Sequence, residues 1–272
     1  MKQYELNTIP DEGYRQALAS LLYQLADDDF ILAYRGSEWL GLAPHIEEDV
    51  AFSSINQDTM GHASMIYELL ASLGEGTEDE LAHGRPPEER RNAIILEEVN
   101  GPGDYLIEPR YDWAFAVVRH YFYTVAKKVR MDSLKQSSYG PLAEAAVKIN
   151  TELYYHLLHW QTWFTQLMNA GGEAKQRMED AVSRVCDDFL GVLTLGPDGE
   201  SMSRYGLIEE EAILASRWTE ALKKPFDSTG VQHPPVIRSL RGDGRKGEHT
   251  GDLTDALHTL SEVYRLEASG TW

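Results

Sequence analysis

One cysteine, Cys186, in 272 residues excludes an internal disulfide and any cysteine-rich metal centre. Its apolar setting after Val185 reads as a buried structural thiol, not a nucleophile. Basic residues are also scarce: 25 Lys and Arg stand against 44 Asp and Glu, a formal charge of −19. Such a chain repels nucleic-acid phosphates and anionic lipid, so neither is expected as a partner. No run approaches the roughly 20 apolar residues of a membrane span, and residues 1–5 lack the apolar stretch of a secretory signal. The expected compartment is the cytoplasm. Strand-type alternation, short-period repeats and low-complexity tracts are missing as well, which leaves an all-α fold. The 42% of apolar residues suffice for a core in one large domain.

Helical spacing of Tyr14, Leu18, Leu21, Leu22, Leu25 and Ile31-Leu32 predicts a first helix over 12–35. Asp27-Asp28-Asp29 in its middle reads as a solvated face or a break, although an acid at that level is also where a bundle's lone carboxylate ligand would stand. Gly36-Ser37 stops the helix, and a turn through Pro44 leads to a second over 46–73, with Ile55, Thr59, His62, Ile66 and Leu69 or Leu70 inward. A loop-rich segment to Arg110 follows, punctuated by Pro86-Pro87 and Gly101-Pro102-Gly103, with one helical piece near 88–96. The third helix, 111–134, aligns Trp113, Val117, His120, Thr124 and Lys127 or Lys128; the fourth, 142–170, aligns Ile149, Leu153, His156, Trp160 and Trp163. A fifth (173–190), a turn at 196–199, a sixth (209–223) and a last amphipathic helix (253–266) complete the pattern. The division is a core bundle over about 12–170 and C-terminal helices over about 173–267, in a single domain spanning 1–272. Between the last two helices, Pro- and Gly-rich sequence carries Arg238, Arg241, Arg245 and Lys246. It predicts a flexible basic loop, read either as a contact for an anion or partner through Arg241, Arg245 and Lys246, or as a solvated turn.

The organising stretches are Asn56-Gln57-Asp58-Thr59-Met60-Gly61-His62 and Glu152-Leu153-Tyr154-Tyr155-His156. Ferritin-like four-helix bundles build a di-metal site from one carboxylate on each of two helices and a Glu-x-x-His pair on each of the others, because i and i+3 share a face. Both histidines are present at that logic, but three residues before them stand Thr59 and Leu153. A threonine is a weak neutral ligand and leucine is none. A lone buried histidine is ordinarily a hydrogen-bonded core residue, whereas two at matched positions suggest a relic site. Two imidazoles with one nearby carboxylate leave an iron pair short of negative charge. A buried acid then needs a cation in the vacated space, with Lys127 or Lys128 paired to Asp58, Asp29 or Glu152.

Several motifs carry a family resemblance over most of the chain. They are Arg35-x-x-Glu38-Trp39-x-Gly41-x-Ala43-Pro44-x-x-Glu47-x-Asp49-x-Ala51, Asp58-x-x-Gly61, Glu152-x-x-x-His156 and Gly242-x-Gly244-Arg245-Lys246-Gly247-x-His249-Thr250. The chain resembles the PaaC-type structural subunits of phenylacetyl-CoA epoxidase (phenylacetyl-CoA oxygenase), departing from their pattern in carrying His62 where it has glutamine. The resemblance implies a ferritin-like bundle whose degenerate ligand slots fall near Asp29, Thr59, His62, Thr124, Leu153 and His156, with no metal, cofactor or catalytic residue of its own. It implies binding to a di-iron catalytic subunit, alongside other oxygenase and reductase components, in a monooxygenase complex of aerobic phenylacetate catabolism. The competing reading is an independent ferritin-like metal-dependent oxygenase with a non-standard site.

Overall fold

The computed structural model describes residues 3–104, 106–231, 235–268 and 270. Its helices are α1 (Glu12–Ser37), α2 (Ile46–Ser72), α3 (Ile94–Glu97), α4 (Trp113–Leu134), α5 (Gly140–Asn169), α6 (Gly172–Cys186), α7 (Leu190–Leu193), α8 (Gly199–Arg204), α9 (Glu211–Asp227), α10 (Gly251–Leu260) and α11 (Glu262–Leu266). No strand is present among the described residues; Tyr4 and Tyr139 form one isolated bridge. Local chemistry sets the ends. Asp11 caps α1 by accepting from the Tyr14 amide at 2.8 Å, and Asp112 caps α4 by accepting from Ala114 and Phe115. That cap moves the start of the third long helix from the expected 111 to Trp113. Pro141 in the first turn of α5 removes an amide that would have no partner there. Gly36 lets α1 and α2 close on each other, since a Cβ at this position would collide with the Asn56 side chain.

The four long helices form a ferritin-like bundle, and they are buried unequally. In α1, 18 of 26 residues are buried, and in α4, 18 of 22. In α2 and α5 the figures are 10 of 27 and 10 of 30. The asymmetry arises because the later elements wrap α1 and α4: α6 and α9 lie on α4, while α8 and α10 lie on α1. Trp218 of α9 donates from Nε1 to the Phe122 carbonyl at 3.1 Å and stacks on Phe189, which fixes α9 on α4. The C-terminal helices differ in detail from the sequence reading. The 88–96 piece is a 3-10 turn at Pro87–Glu89 and then α3, the fifth helix stops at Cys186, α8 replaces part of an expected turn, and the last helix divides at Ser261.

The largest correction concerns Asp27-Asp28-Asp29, which is neither solvated nor a break: α1 runs through it and all three side chains are buried. Successive helix residues point about 100° apart, so the three acids meet three separate sets of partners. Asp27 accepts from Tyr67 Oη at 2.7 Å and from the Arg91 amide at 2.8 Å, and pairs with Arg85 and Arg90. Burial pushes its carboxyl up, but the two guanidiniums hold it below the usual range. Asp28 receives both Nη atoms of Arg245, at 2.9 and 2.7 Å, with Arg130 at 3.2 Å and the Ala93 amide at 2.8 Å. Asp29 takes Lys127 Nζ and Tyr123 Oη, each at 2.7 Å. The partners lie far away in sequence, so the acids look unpaired in the sequence alone.

The same contacts correct the expected flexible basic loop. Arg245 is 2% exposed and also donates from Nε to the Gly191 carbonyl at 2.8 Å. Arg241 bonds Asp188 and Glu98, each at 2.7 Å, and the Arg238 backbone pairs with Cys186 and Leu190. Residues 238–246 therefore form a strap locked onto α1 and the segments 186–191 and 91–98. Arg238 and Lys246 lie at its exposed edges, paired with Asp187 at 2.8 Å and Asp243 at 2.9 Å. Residues 232–234 lie outside the described residues.

Candidate polar centre of the bundle

α2 and α5 run antiparallel, and each carries an acid and a histidine one turn apart: Asp58 and His62 on α2, Glu152 and His156 on α5. Antiparallel packing sets the acid of one helix opposite the histidine of the other. His62 Nε2 lies 2.6 Å from Glu152 Oε2, and His156 Nε2 lies 2.9 Å from Asp58 Oδ2, with the ring centroids 6.1 Å apart. The acids thus stand four residues from the histidines, turned toward the open α2–α5 groove, and not three residues away on the inner face. The inner positions are Thr59, whose hydroxyl donates to the Ile55 carbonyl at 2.7 Å, and Leu153, which is fully buried. Thr124 is buried on α4.

Behind His62 the contacts continue inward. Lys127 Nζ lies 2.7 Å from His62 Nδ1 and 2.7 Å from Asp29 Oδ2. An ammonium only donates, so His62 accepts at Nδ1, carries its proton on Nε2 and gives that hydrogen to Glu152. Five side chains on four helices, Glu152, His62, Lys127, Asp29 and Tyr123, form one hydrogen-bonded line from the groove to the centre. Burial, then the Lys127 charge, holds His62 far below its ordinary 6.5. Burial lowers His156 as well, against the pull of Asp58. Partial burial and the neighbouring Asp58 charge push Glu152 up. Burial also pushes Asp29 up and Lys127 down, opposing their mutual attraction. Lys128, its neighbour in sequence, bonds Asp132 at 2.6 Å instead.

One turn further along, aromatic rings wall off the centre. His120 donates from Nδ1 to the Ala116 carbonyl at 2.7 Å and stacks on Trp160 with centroids 4.9 Å apart. Burial takes its pKa down to about 3. Glu48, buried in the first turn of α2, accepts from Trp163 Nε1 at 2.6 Å and meets His159 Nε2 at 3.0 Å. Neither Glu48 nor Tyr123 was singled out from the sequence. Glu48 stands in the first turn of α2, where acids are common for dipole reasons alone, so it carries no distinguishing signal in the sequence. Cys186 is buried and its thiol is pushed up to about 12, away from the centre. Among the described residues, no group of three or more His, Cys, Asp and Glu side chains converges as a metal-binding set would.

Fold and centre together define a ferritin-like helical protein in which a lysine, two histidines and one acid share the bundle interior, and two further acids meet the histidines from the surface. The chain belongs to the phenylacetic acid catabolic protein family (PaaA_PaaC), whose profile matches residues 1–272. It is 25% identical over 256 residues to the C subunit of 1,2-phenylacetyl-CoA epoxidase from Escherichia coli (strain K12), covering 94% of this chain and 99% of that one. It is 26% identical over 196 residues to the A subunit of the same epoxidase from the same organism, covering 71% of this chain and 58% of that one. The resemblance read from the motifs is borne out. No described helix is long and apolar enough to cross a membrane.

Proposed function

We propose that this chain is a non-catalytic, cytoplasmic subunit of a phenylacetyl-CoA epoxidase, holding no metal itself and stabilising a di-iron family member of the A type. The observation that carries this reading is Lys127, whose Nζ lies 2.7 Å from both Asp29 and His62. A carboxylate-bridged metal pair requires several acids aimed at shared ions. Here the one deeply buried acid in the bundle centre is matched to an ammonium, and the inner positions on α2 and α5 are Thr59 and Leu153. Asp58 and Glu152 remain, but each is spent on the outer nitrogen of a histidine at the groove. The donor set therefore does not fit a di-iron centre, and the fixed positive charge of Lys127 stabilises Asp29 in its place. Near-full-length coverage of the C subunit of an epoxidase supports the assignment to the complex. The test is reconstitution: an A-type protein with a reductase should epoxidise phenylacetyl-CoA better with this chain than without it, and this chain with the reductase alone should give no product. Product formation without the A-type protein would overturn the reading.

A further inference from the structure

We propose that the outer face of α2 and α5 is the docking surface for the A-type protein, a helical partner bearing a basic rim; this rests on the functional reading above. The face is apolar where it should be polar. Val147, Tyr154, Tyr155 and Leu158 on α5, and Ile46 and Val50 on α2, are each more than half exposed. They stand on rigid helices, so their exposure is not that of loose loops. Tyrosine is enriched where proteins meet, and an exposed apolar ridge on a helix face is the kind of surface an interface buries.

Gly61 supplies an independent observation. It lies mid-helix on the exposed stripe of α2 between Ser54 and Ser64, and a Cβ there would meet nothing within 4 Å. Gly36, by contrast, is required by contact with Asn56. Glycine within a helix costs about 1 kcal/mol relative to alanine, and nothing inside this chain accounts for Gly61. Gly61 lies beside the α5 ridge on a stripe that also exposes Ser54, Gln57, Asp58 and Ser64, and its missing side chain lets a second helix come close at that point, which locates the reason for the glycine outside the chain.

Charge and size point to the kind of occupant. The face carries Glu47, Asp58, Glu68, Glu144 and Glu152 exposed or half-buried against Lys148, so a second copy of this chain would bring acids against acids, whereas a partner with Lys and Arg around an apolar strip is complementary. α2 has 27 residues; at 1.5 Å each the face is about 40 Å long, and two helices wide it is about 20 Å across. That is on the order of 800 Å², the share each partner contributes to a standard stable interface. The C-terminal elements lie mainly on α1 and α4, with α6 also touching α5, so the outer stripe of α2 and the apolar ridge of α5 stay open to a neighbour.

The experiment is titration of the purified chain with a purified A-type family member, followed by sedimentation. Four forms of the chain are compared: the unaltered chain, Tyr154→Glu/Leu158→Glu, Gly61→Gln, and the control Leu106→Glu/Ile107→Glu. The control alters an exposed loop tip that lines a groove with Tyr34, Ser37 and Leu40 on the α1 side. The expected result is association of the unaltered and control chains, with the Tyr154/Leu158 variant weakened by about thirtyfold or more. Gly61→Gln should weaken association while raising the melting temperature of the isolated chain, a combination that a merely structural glycine cannot give. If the unaltered chain binds and the α5 and Gly61 variants bind equally well, the docking assignment is overturned and the functional reading stands. If the unaltered chain does not bind, the reading falls and the assignment with it. Self-association of this chain that the α5 variant abolishes, with the A-type protein ignored, would overturn the assignment in favour of a second copy.

Discussion

Asp27, Asp28, Asp29 and Lys127 hide their charges inside α1 and α4, whereas Asp58 and Glu152 show theirs on α2 and α5. Along α1 every buried aspartate has a fixed cation: Arg85 and Arg90 for Asp27, Arg130 and Arg245 for Asp28, Lys127 for Asp29. Across the α2–α5 groove, Asp58 and Glu152 remain 45% and 38% exposed and reach inward only through histidines. The inner pair of helices thus spends charge on holding segments distant in sequence against one another, and the outer pair keeps charge and apolar area at its surface. Within the inner layer a second contrast appears. Arginine forks clamp Asp27 and Asp28 where loops must be fastened, while a single compact ammonium serves Asp29 in the bundle centre, where the neighbour is an imidazole and no bidentate partner exists.

The largest effect should come from breaking an inner clamp. Asp28→Ala leaves Arg130 and Arg245 buried without their carboxylate and should lower unfolding free energy by about 5 kcal/mol. Urea denaturation would measure this, and limited proteolysis should find the 238–246 strap newly cleavable. Lys127→Met should cost about 3 kcal/mol by orphaning Asp29, and Lys127→Met/Asp29→Leu should recover most of it, since apolar replacement of a whole buried pair is often neutral. A double-mutant cycle with additive losses would show that the two groups do not depend on each other.

Acid should act on the centre next. His62, His120 and His156 are all held below their ordinary 6.5 by burial. Unfolding therefore takes up protons below pH 6.5, so stability is complete above that value and falls as pH drops through it, by about 1.4 kcal/mol per pH unit for each histidine that stays neutral. Asp29 and Glu152, both raised by burial, act in the opposite sense as pH falls toward their ordinary values and offset part of the loss. The check is a set of urea midpoints between pH 7.5 and 5, with His156→Gln expected to flatten the slope. The smallest effects belong to the outer face. Gly61→Ala should stabilise the isolated chain by up to about 1 kcal/mol, and Tyr154→Ala should stay within about 0.5 kcal/mol. A large loss from Tyr154→Ala in the isolated chain would erase the distinction between the layers.

Much of this arrangement was legible in the sequence because helix periodicity and caps are local. The four long helices fall within a few residues of the spacing, and Thr59 and Leu153 already mark inner positions without acids. The charge partners were not legible. Asp27-Asp28-Asp29 reads as a polar run until α1 is seen enclosed on every side, and Arg245 reads as loop sequence until it is found 217 positions from its carboxylate. Lys127 and Lys128 differ by one step of helical phase, which boundaries uncertain by two residues do not resolve. Glu152 and Asp58 sit at i±4 from the histidines, and only the antiparallel register of α2 and α5 turns that spacing into two crossed pairs.

In the function proposed above, the Lys127 ammonium stabilises Asp29 in the space where a di-iron bundle would hold its ions. The most direct test is iron per polypeptide, measured on this chain after co-expression with an A-type family member, in iron-replete medium, and separation of the two proteins. Substoichiometric iron on this chain, with iron remaining on the A-type protein, is the predicted result. Two irons per copy of this chain would show that Lys127 does not stand in for metal.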